Sequence, residues 1–405
     1  MKVILYFSDA FAWNYLSQPA AENRSGTSVE PTDFMPDFWA ERRPLETVLG
    51  YSSTILPCLI SGQPPQRTGI WTEYYRHDRP QRPLARWVVR SRVLLTPVNL
   101  ARLVLFRLAR KAGHPAAHLL RIPLQLAHFF ARHDMDYRKF PPVAMPVPTF
   151  ADAAARHGLR FSFKYLKHGY DLDAELADMD RRLSDNDVLF YYDPSIDGHG
   201  HHAGADVRAL APDIDRVRAF CEHAWQRIGA DPEAHLLLFS DHGMTDVEYT
   251  YDLFARLAPW RIGHDYLVFV DSTFARFWYA SDAVRDGIRA ALADAPAVFL
   301  TAADERRYGI AFDDARYGQE ILVADEAVVF HPSYISPTFF RTKAYPDRAT
   351  HGYLPECDTA YGIYLRRGPG ADPSETRAMP ATGLYGVVET IMAAAVQDRL
   401  GHRTA

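Results

Sequence analysis

Three short passages of this 405-residue chain set aspartate or histidine just beyond an apolar run. Asp9 follows residues 3–7, Asp197-Gly198-His199-Gly200-His201-His202 comes shortly after residues 188–192, and Asp241-His242-Gly243 follows residues 235–239. A further histidine, His351, precedes a glycine late in the chain. Carboxylate and imidazole without thiolate suit zinc, with manganese or iron as alternatives. Asp9, Asp197 and Asp241 would repel one another if gathered in a partly buried site. Two divalent cations would offset that charge, and neutral His201, His242 and His351 would complete two donor sets.

Such distant residues can meet only if the elements carrying them are neighbours. Residues 3–7, 187–192 and 235–239 read as buried strands, and Ile214, Val217, Phe220, Ala224 and Ile228 recur at helical spacing between the last two. Strand, long helix, strand implies a parallel sheet, and ligands bind beyond the carboxyl ends of its strands. Residues 52–61 read as a helix in which Pro57 predicts a bend or a late start. Further expectations are a helix at 150–157, a strand at 160–165, a hairpin at 266–279, a helix at 283–292, a strand at 359–365 and a closing helix at 385–397. Within the passage around His199, His201 and His202, His201 is the ligand and His199 and His202 are neighbours; the alternative is an exposed histidine-rich loop. Asp193 and Asp246 read as turn or supporting residues.

The net charge is −5, yet no Asp or Glu stands between Asp78 and Asp134. That stretch holds Arg79, Arg82, Arg86, Arg90, Arg92, Arg102, Arg107, Arg110, Lys111, Arg121 and Arg132, and residues 84–132 read as helical with breaks at Pro97, Pro115 and Pro123. It is either a solvated insertion or a lid or patch for an anionic surface, including a weak contact of residues 98–111 with lipid headgroups. No nucleic-acid module is recognisable. Cys58, Cys221 and Cys357 are few and scattered, which suits a reducing compartment, and the cytoplasm is the expected location. No apolar stretch reaches the roughly 18–20 residues of a membrane helix.

The ordered motifs resemble the alkaline phosphatase superfamily, in its type I phosphodiesterase/nucleotide pyrophosphatase branch. Asp197-x-x-Gly200-His201-x-x-Gly204, Ser240-Asp241-His242-Gly243-Met244 and His351-Gly352 match that branch in type and order. Gly62-Gln63-Pro64-Pro65-Gln66-Arg67-Thr68-Gly69-Ile70 is similar to the text after its nucleophile, with Thr68 in place of histidine. Counting back from Gly62 gives Ser52 as nucleophile, with Ser53 and Thr54 as alternatives; most diesterase relatives have Thr there. The resemblance implies one metal on Asp9, Asp241, His242 and Ser52, and the other on Asp197, His201 and His351. It implies an α/β fold with a doubly wound, mainly parallel sheet, as one alkaline phosphatase-like hydrolase domain over residues 1–405. A basic helical insertion at 76–140 and a small α+β cap at 248–340 complete the expected architecture.

The activity implied is cleavage of a phosphodiester or nucleotide pyrophosphate through a covalent phosphoserine intermediate, on a small phosphate-ester substrate. A phosphomonoesterase or phosphonoacetate-type hydrolase, a phosphoryl transferase on the same site, and a binding protein that kept the fold are the alternatives. One departure concerns the substrate: where the relatives have an asparagine donor this chain has Glu73, a possible substrate contact. A carboxylate there repels a phosphate oxygen unless it is protonated, metal-bound or paired with a cationic substrate group.

Overall fold

The apolar runs near residues 3, 188 and 235 are unbroken because both faces of the sheet they build are covered. In the computed structural model, residues 1–16, 34–77, 92–112, 120–123, 126–335 and 345–401 are described. They form two compact units, one of Met1–Ile70, Met135–Asp246 and Asp347–Ala405, the other of Trp71–Asp134 and Val247–Pro346. The stretches read separately as insertion and cap thus contribute to one unit, with bounds at 71–134 and 247–346.

The first unit is built on a seven-stranded sheet. Val3–Ser8 lies at its heart, parallel to Val188–Asp193 on one side and to His235–Phe239 on the other. Phe161–Tyr165 extends the sheet in parallel beyond Val188–Asp193. Gly362–Arg367 runs antiparallel to both His235–Phe239 and Glu41–Glu46, and Met379–Pro380 closes that edge. Alternate residues serve opposite cores. Ile4, Tyr6, Leu189, Tyr191, Leu236 and Leu238 pack with Ile214, Val217, Phe220, Ala224 and Ile228 of the Val207–Ile228 helix. Val3, Leu5, Phe7, Phe190, Leu237 and Phe239 pack with Ile55, Leu59, Phe150, Leu384 and Val388 from the helices on the other face. This is the doubly wound, mainly parallel arrangement.

One local expectation changes, and one alternative is set aside. The Ser52–Ser61 helix starts at Ser52 without delay and carries Pro57 inside it. Proline there removes one backbone bond, and burial of Ile55, Leu56, Leu59 and Ile60 outweighs that loss. The histidine-rich passage is a helix, Ser195–Ala203, rather than a loop. Gly198 within it answers a packing need: a Cβ there would meet His168 Cε1 at 2.2 Å.

In the second unit, Tyr266–Val270, Phe274–Tyr279, Glu320–Ala324 and Ala297–Phe299 form an antiparallel sheet. Fully buried Arg276 is ion-paired with Asp271 at 2.7 Å and donates to Tyr74 O at 2.7 Å. From the basic stretch, the described part includes a helix, Arg92–Lys111, and a strand, Phe130–Arg132, paired with Tyr74–Arg76. The helix runs through Pro97 instead of breaking there, and the strand falls within a stretch read as helical. Arg79, Arg82, Arg86, Arg90 and Pro115 lie outside the described residues.

Candidate active site

Parallel register brings the ends of three strands to one edge. Ser8 pairs with Asp193, and Phe7 with both Tyr192 and Phe239, so the chain leaves the sheet at Asp9 and Asp241 side by side. Ala10 N donates to Asp241 Oδ1 at 3.3 Å, linking the two strand exits. Asp197 and His201 arrive from the Ser195–Ala203 helix, where a spacing of four residues puts both on one face. Asp193 Oδ1 accepts from Ser195 N at 2.9 Å at the start of that helix, and Tyr6 Oη donates to Asp193 Oδ2 at 2.6 Å. His351 follows the short strand Ala349–Thr350, which pairs with Thr245–Asp246 just after Asp241-His242. Asp246 supports the approach by accepting from Ala205 N at 2.8 Å.

Two triads result, Asp9 with Asp241 and His242, and Asp197 with His201 and His351; in each, one donor atom per residue lies within 4.8 Å of the others. His242 Nε2 is 3.2 Å from Asp241 Oδ2 and 3.5 Å from Asp9 Oδ1. Asp197 Oδ1 is 3.3 Å from His201 Nε2 and 3.5 Å from His351 Nε2. The rings of His242 and His351 stack at 3.6 Å and join the triads. His199 and His202 turn to other carboxylates, Asp213 at 2.7 Å and Asp347 at 3.9 Å.

Ser52, first residue of its helix and half-buried, brings Oγ to 3.1 Å from His242 Nε2 and 3.3 Å from Asp9 Oδ1. Ser53 and Thr54 are buried. Gly50 shapes the entry to this turn: its φ is +143°, and a Cβ there would meet Thr54 Oγ1 at 2.4 Å. Glu73 belongs to the second unit, where Arg132 Nε pairs with its Oε2 at 3.0 Å. That pairing supplies a cation from the protein itself.

The electrostatics fit a cation site. Burial, then Asp241 and Asp197, hold the Asp9 carboxyl well above its usual range. Burial opposes charge on His242, but Asp241 beside it outweighs burial and holds the imidazolium up to about 10. The same contest on His201, with Asp197 as the partner, ends at about 9. Burial, aided by His242, pushes His351 down to about 4. Asp241 Oδ2, Asp197 Oδ1 and His351 Nδ1 are buried without a hydrogen bond, the mark of a place built for a further polar or cationic partner. Nδ1 of His242 faces Gly243 O at 2.8 Å and Nδ1 of His201 faces Ala349 O at 2.9 Å. Each carbonyl accepts a hydrogen bond from Nδ1–H, so in the neutral ring Nε2 presents its lone pair to a cation shared with the carboxylates. These residues could hold two divalent cations.

Sequence reasoning passed over Tyr192, whose hydroxyl donates to Asp9 Oδ2 at 2.5 Å within the buried site. The signal was the polar tip of a strand end otherwise read as apolar.

The parallel sheet with its loaded carboxyl edge defines an alkaline phosphatase-like α/β fold. The chain belongs to the type I phosphodiesterase/nucleotide pyrophosphatase family, whose model matches residues 50–354, and it is accordingly a hydrolase. Human ectonucleotide pyrophosphatase/phosphodiesterase 5 has a similar fold, with a TM-score of 0.65 at 16% identity over 97% of this chain and 95% of that one. The murine protein gives a TM-score of 0.64 at 17% identity, again over 97% and 95%. An inactive variant of the murine protein in complex with AMP gives 0.62 at 17% identity, with the same coverage. No curated protein sequence matches the chain.

Proposed function

We propose that the protein hydrolyses phosphodiesters or nucleotide pyrophosphates by attack of Ser52 Oγ on phosphorus. The observation that carries this reading is Ser52 Oγ at 3.1 Å from His242 Nε2, between an N-terminal helix turn and the two triads. Asp9, Asp241 and His242, with Ser52, would hold one divalent cation, and Asp197, His201 and His351 the other; zinc suits these donors. Such cations, when bound, would lower the Ser52 hydroxyl pKa and stabilise charge on the attacking and leaving oxygens.

The chain's own residues do the rest. Asp9 accepts from the Ser52 hydroxyl at 3.3 Å and orients it. Backbone N–H groups of the first helical turn offer donors to phosphoryl oxygens. Ser52 Oγ forms a bond to phosphorus as the bond to the leaving oxygen breaks, and the leaving group takes up a proton. Water then displaces Ser52 from phosphorus, and the hydroxyl regains its proton. The murine neighbour with AMP supports a nucleotide phosphate ester as the substrate class.

The test compares bis-p-nitrophenyl phosphate with p-nitrophenyl phosphate on zinc-loaded protein. The diester is expected to be the better substrate by kcat/KM. Preference for the monoester, or products in which an added alcohol has captured the phosphoryl group, would replace the diesterase with a monoesterase or a transferase.

A further inference from the structure

We propose that the outer face of the Arg92–Lys111 helix docks on an anionic lipid surface. Leu100, Val104, Leu105 and Leu108 of this helix are 48%, 43%, 54% and 60% exposed. Elsewhere among the described residues only Tyr249 and Val298 are large hydrophobics of comparable exposure. At about 100° per residue, Leu100, Val104 and Leu108 span about 80° of the helix surface and Leu105 widens the arc to about 140°, so the four make a single stripe.

In the sequence these leucines are interleaved with Leu103 and Phe106, which blurs the pattern. The structure separates them. Phe106 is buried beneath the guanidinium of Arg121 at 5.9 Å, Leu103 is half-buried, and Arg102 donates inward to Leu120 O. The inner side is therefore anchored to its own unit, and the outer side is apolar.

Charge chooses the occupant. Arg107 and Lys111 are exposed along one margin of the stripe. No carboxylate occurs anywhere from residue 79 to residue 133, although the whole chain carries more Asp and Glu than Lys and Arg. An apolar stripe edged by cations, on a helix without acids, suits leucines entering the acyl boundary while guanidinium and ammonium groups meet lipid phosphates. The helix would lie on the surface, since no helix among the described residues is long and apolar enough to cross a membrane.

The experiment is co-sedimentation of the full chain with phosphatidylcholine vesicles containing phosphatidylserine, and with phosphatidylcholine vesicles alone, at low and high salt. Binding is expected on the anionic vesicles, weakened by salt, and about tenfold stronger than on the neutral ones. Leu105→Glu with Leu108→Glu is expected to lower it about tenfold, with far-UV circular dichroism unchanged because both positions are exposed. Lys111→Glu is a second, milder arm that lowers it through charge alone. Failure of the wild-type chain to sediment with anionic vesicles, equal binding to neutral vesicles, or wild-type binding by the double variant would overturn the proposal. So would a vesicle-free dimer that the double variant turns into monomer, since a second copy would then be the occupant.

Discussion

The Tyr192 hydroxyl donates to Asp9 Oδ2 at 2.5 Å, while Asp9 Oδ1 faces Ser52 and His242. One carboxylate is thereby held by the neighbouring strand on one oxygen and offered to the site with the other. Tyr192→Phe removes the hydrogen bond and keeps the ring that packs on Phe7 at 4.8 Å. We expect turnover or zinc affinity to fall by about 10–100-fold, as for other groups that orient a ligand, with little change in stability. Unchanged kcat and zinc affinity in the variant would show that Asp9 needs no such hold.

The three adjacent hydroxyls separate by substitution. Ser52→Ala is expected to lower kcat by roughly a thousandfold or more, because the attacking oxygen is gone. Ser53→Ala should stay within about threefold of wild type. Thr54→Ala should act chiefly on stability, since its buried side chain packs where a Gly50 Cβ would fall. Intact turnover in Ser52→Ala with loss in Ser53→Ala would move the nucleophile by one residue.

Cation binding should release protons. In chelator-treated protein His201 and His242, held up to about 9 and 10, are charged near neutral pH. A ligand imidazole must be neutral and a ligand carboxyl ionised, so uptake of zinc should expel the protons on His201 and His242 and any held by Asp9, and affinity should weaken as pH falls. Calorimetry of zinc addition in buffers of different ionisation enthalpy reads the number. Hydrolysis should vanish on chelation and return with zinc; a chelated protein that retains full activity would remove the cations from the reaction.

His235 ties stability to pH in the opposite sense from a salt-bridged histidine. Burial, aided by Arg366, pushes it from 6.5 down to about 4. The folded state keeps it neutral where the unfolded chain binds a proton, so its contribution is intact above pH 6.5 and is lost as pH falls toward about 4. The loss is on the order of 2 kcal/mol, and His235→Gln should flatten that part of the curve in denaturant titrations. Parallel pH profiles for variant and wild type would leave acid sensitivity to other groups.

Gly50→Ala combines a φ of +143° with the clash on Thr54 Oγ1, and should cost about 1–3 kcal/mol while displacing the turn before Ser52. A thermal melt alongside kcat measures both; an unchanged melting temperature would show that the turn yields without strain.

The sequence by itself determined the strands and helices whose burial is periodic. Residues 188–192 and 236–239 are buried apolar and aromatic residues because both sheet faces are covered, and Ile214 to Ile228 follow one helix face. It also determined family membership, through motifs that keep their order along the chain. Tertiary structure decided what depends on neighbours distant in sequence. Gly198 sits within a helix, where its missing side chain leaves room for His168. Tyr192 became a partner of Asp9 only once parallel register set the two strand ends side by side. Glu73 met Arg132 because the adjacent Tyr74 pairs with Arg132, whose strand lies in a stretch that reads as helical. Leu103 and Phe106 turned inward while Leu105 and Leu108 stayed outside, which no local pattern of leucine and arginine distinguishes. Periodicity records which face of an element is buried; the identity of the group waiting there is settled only when the elements pack.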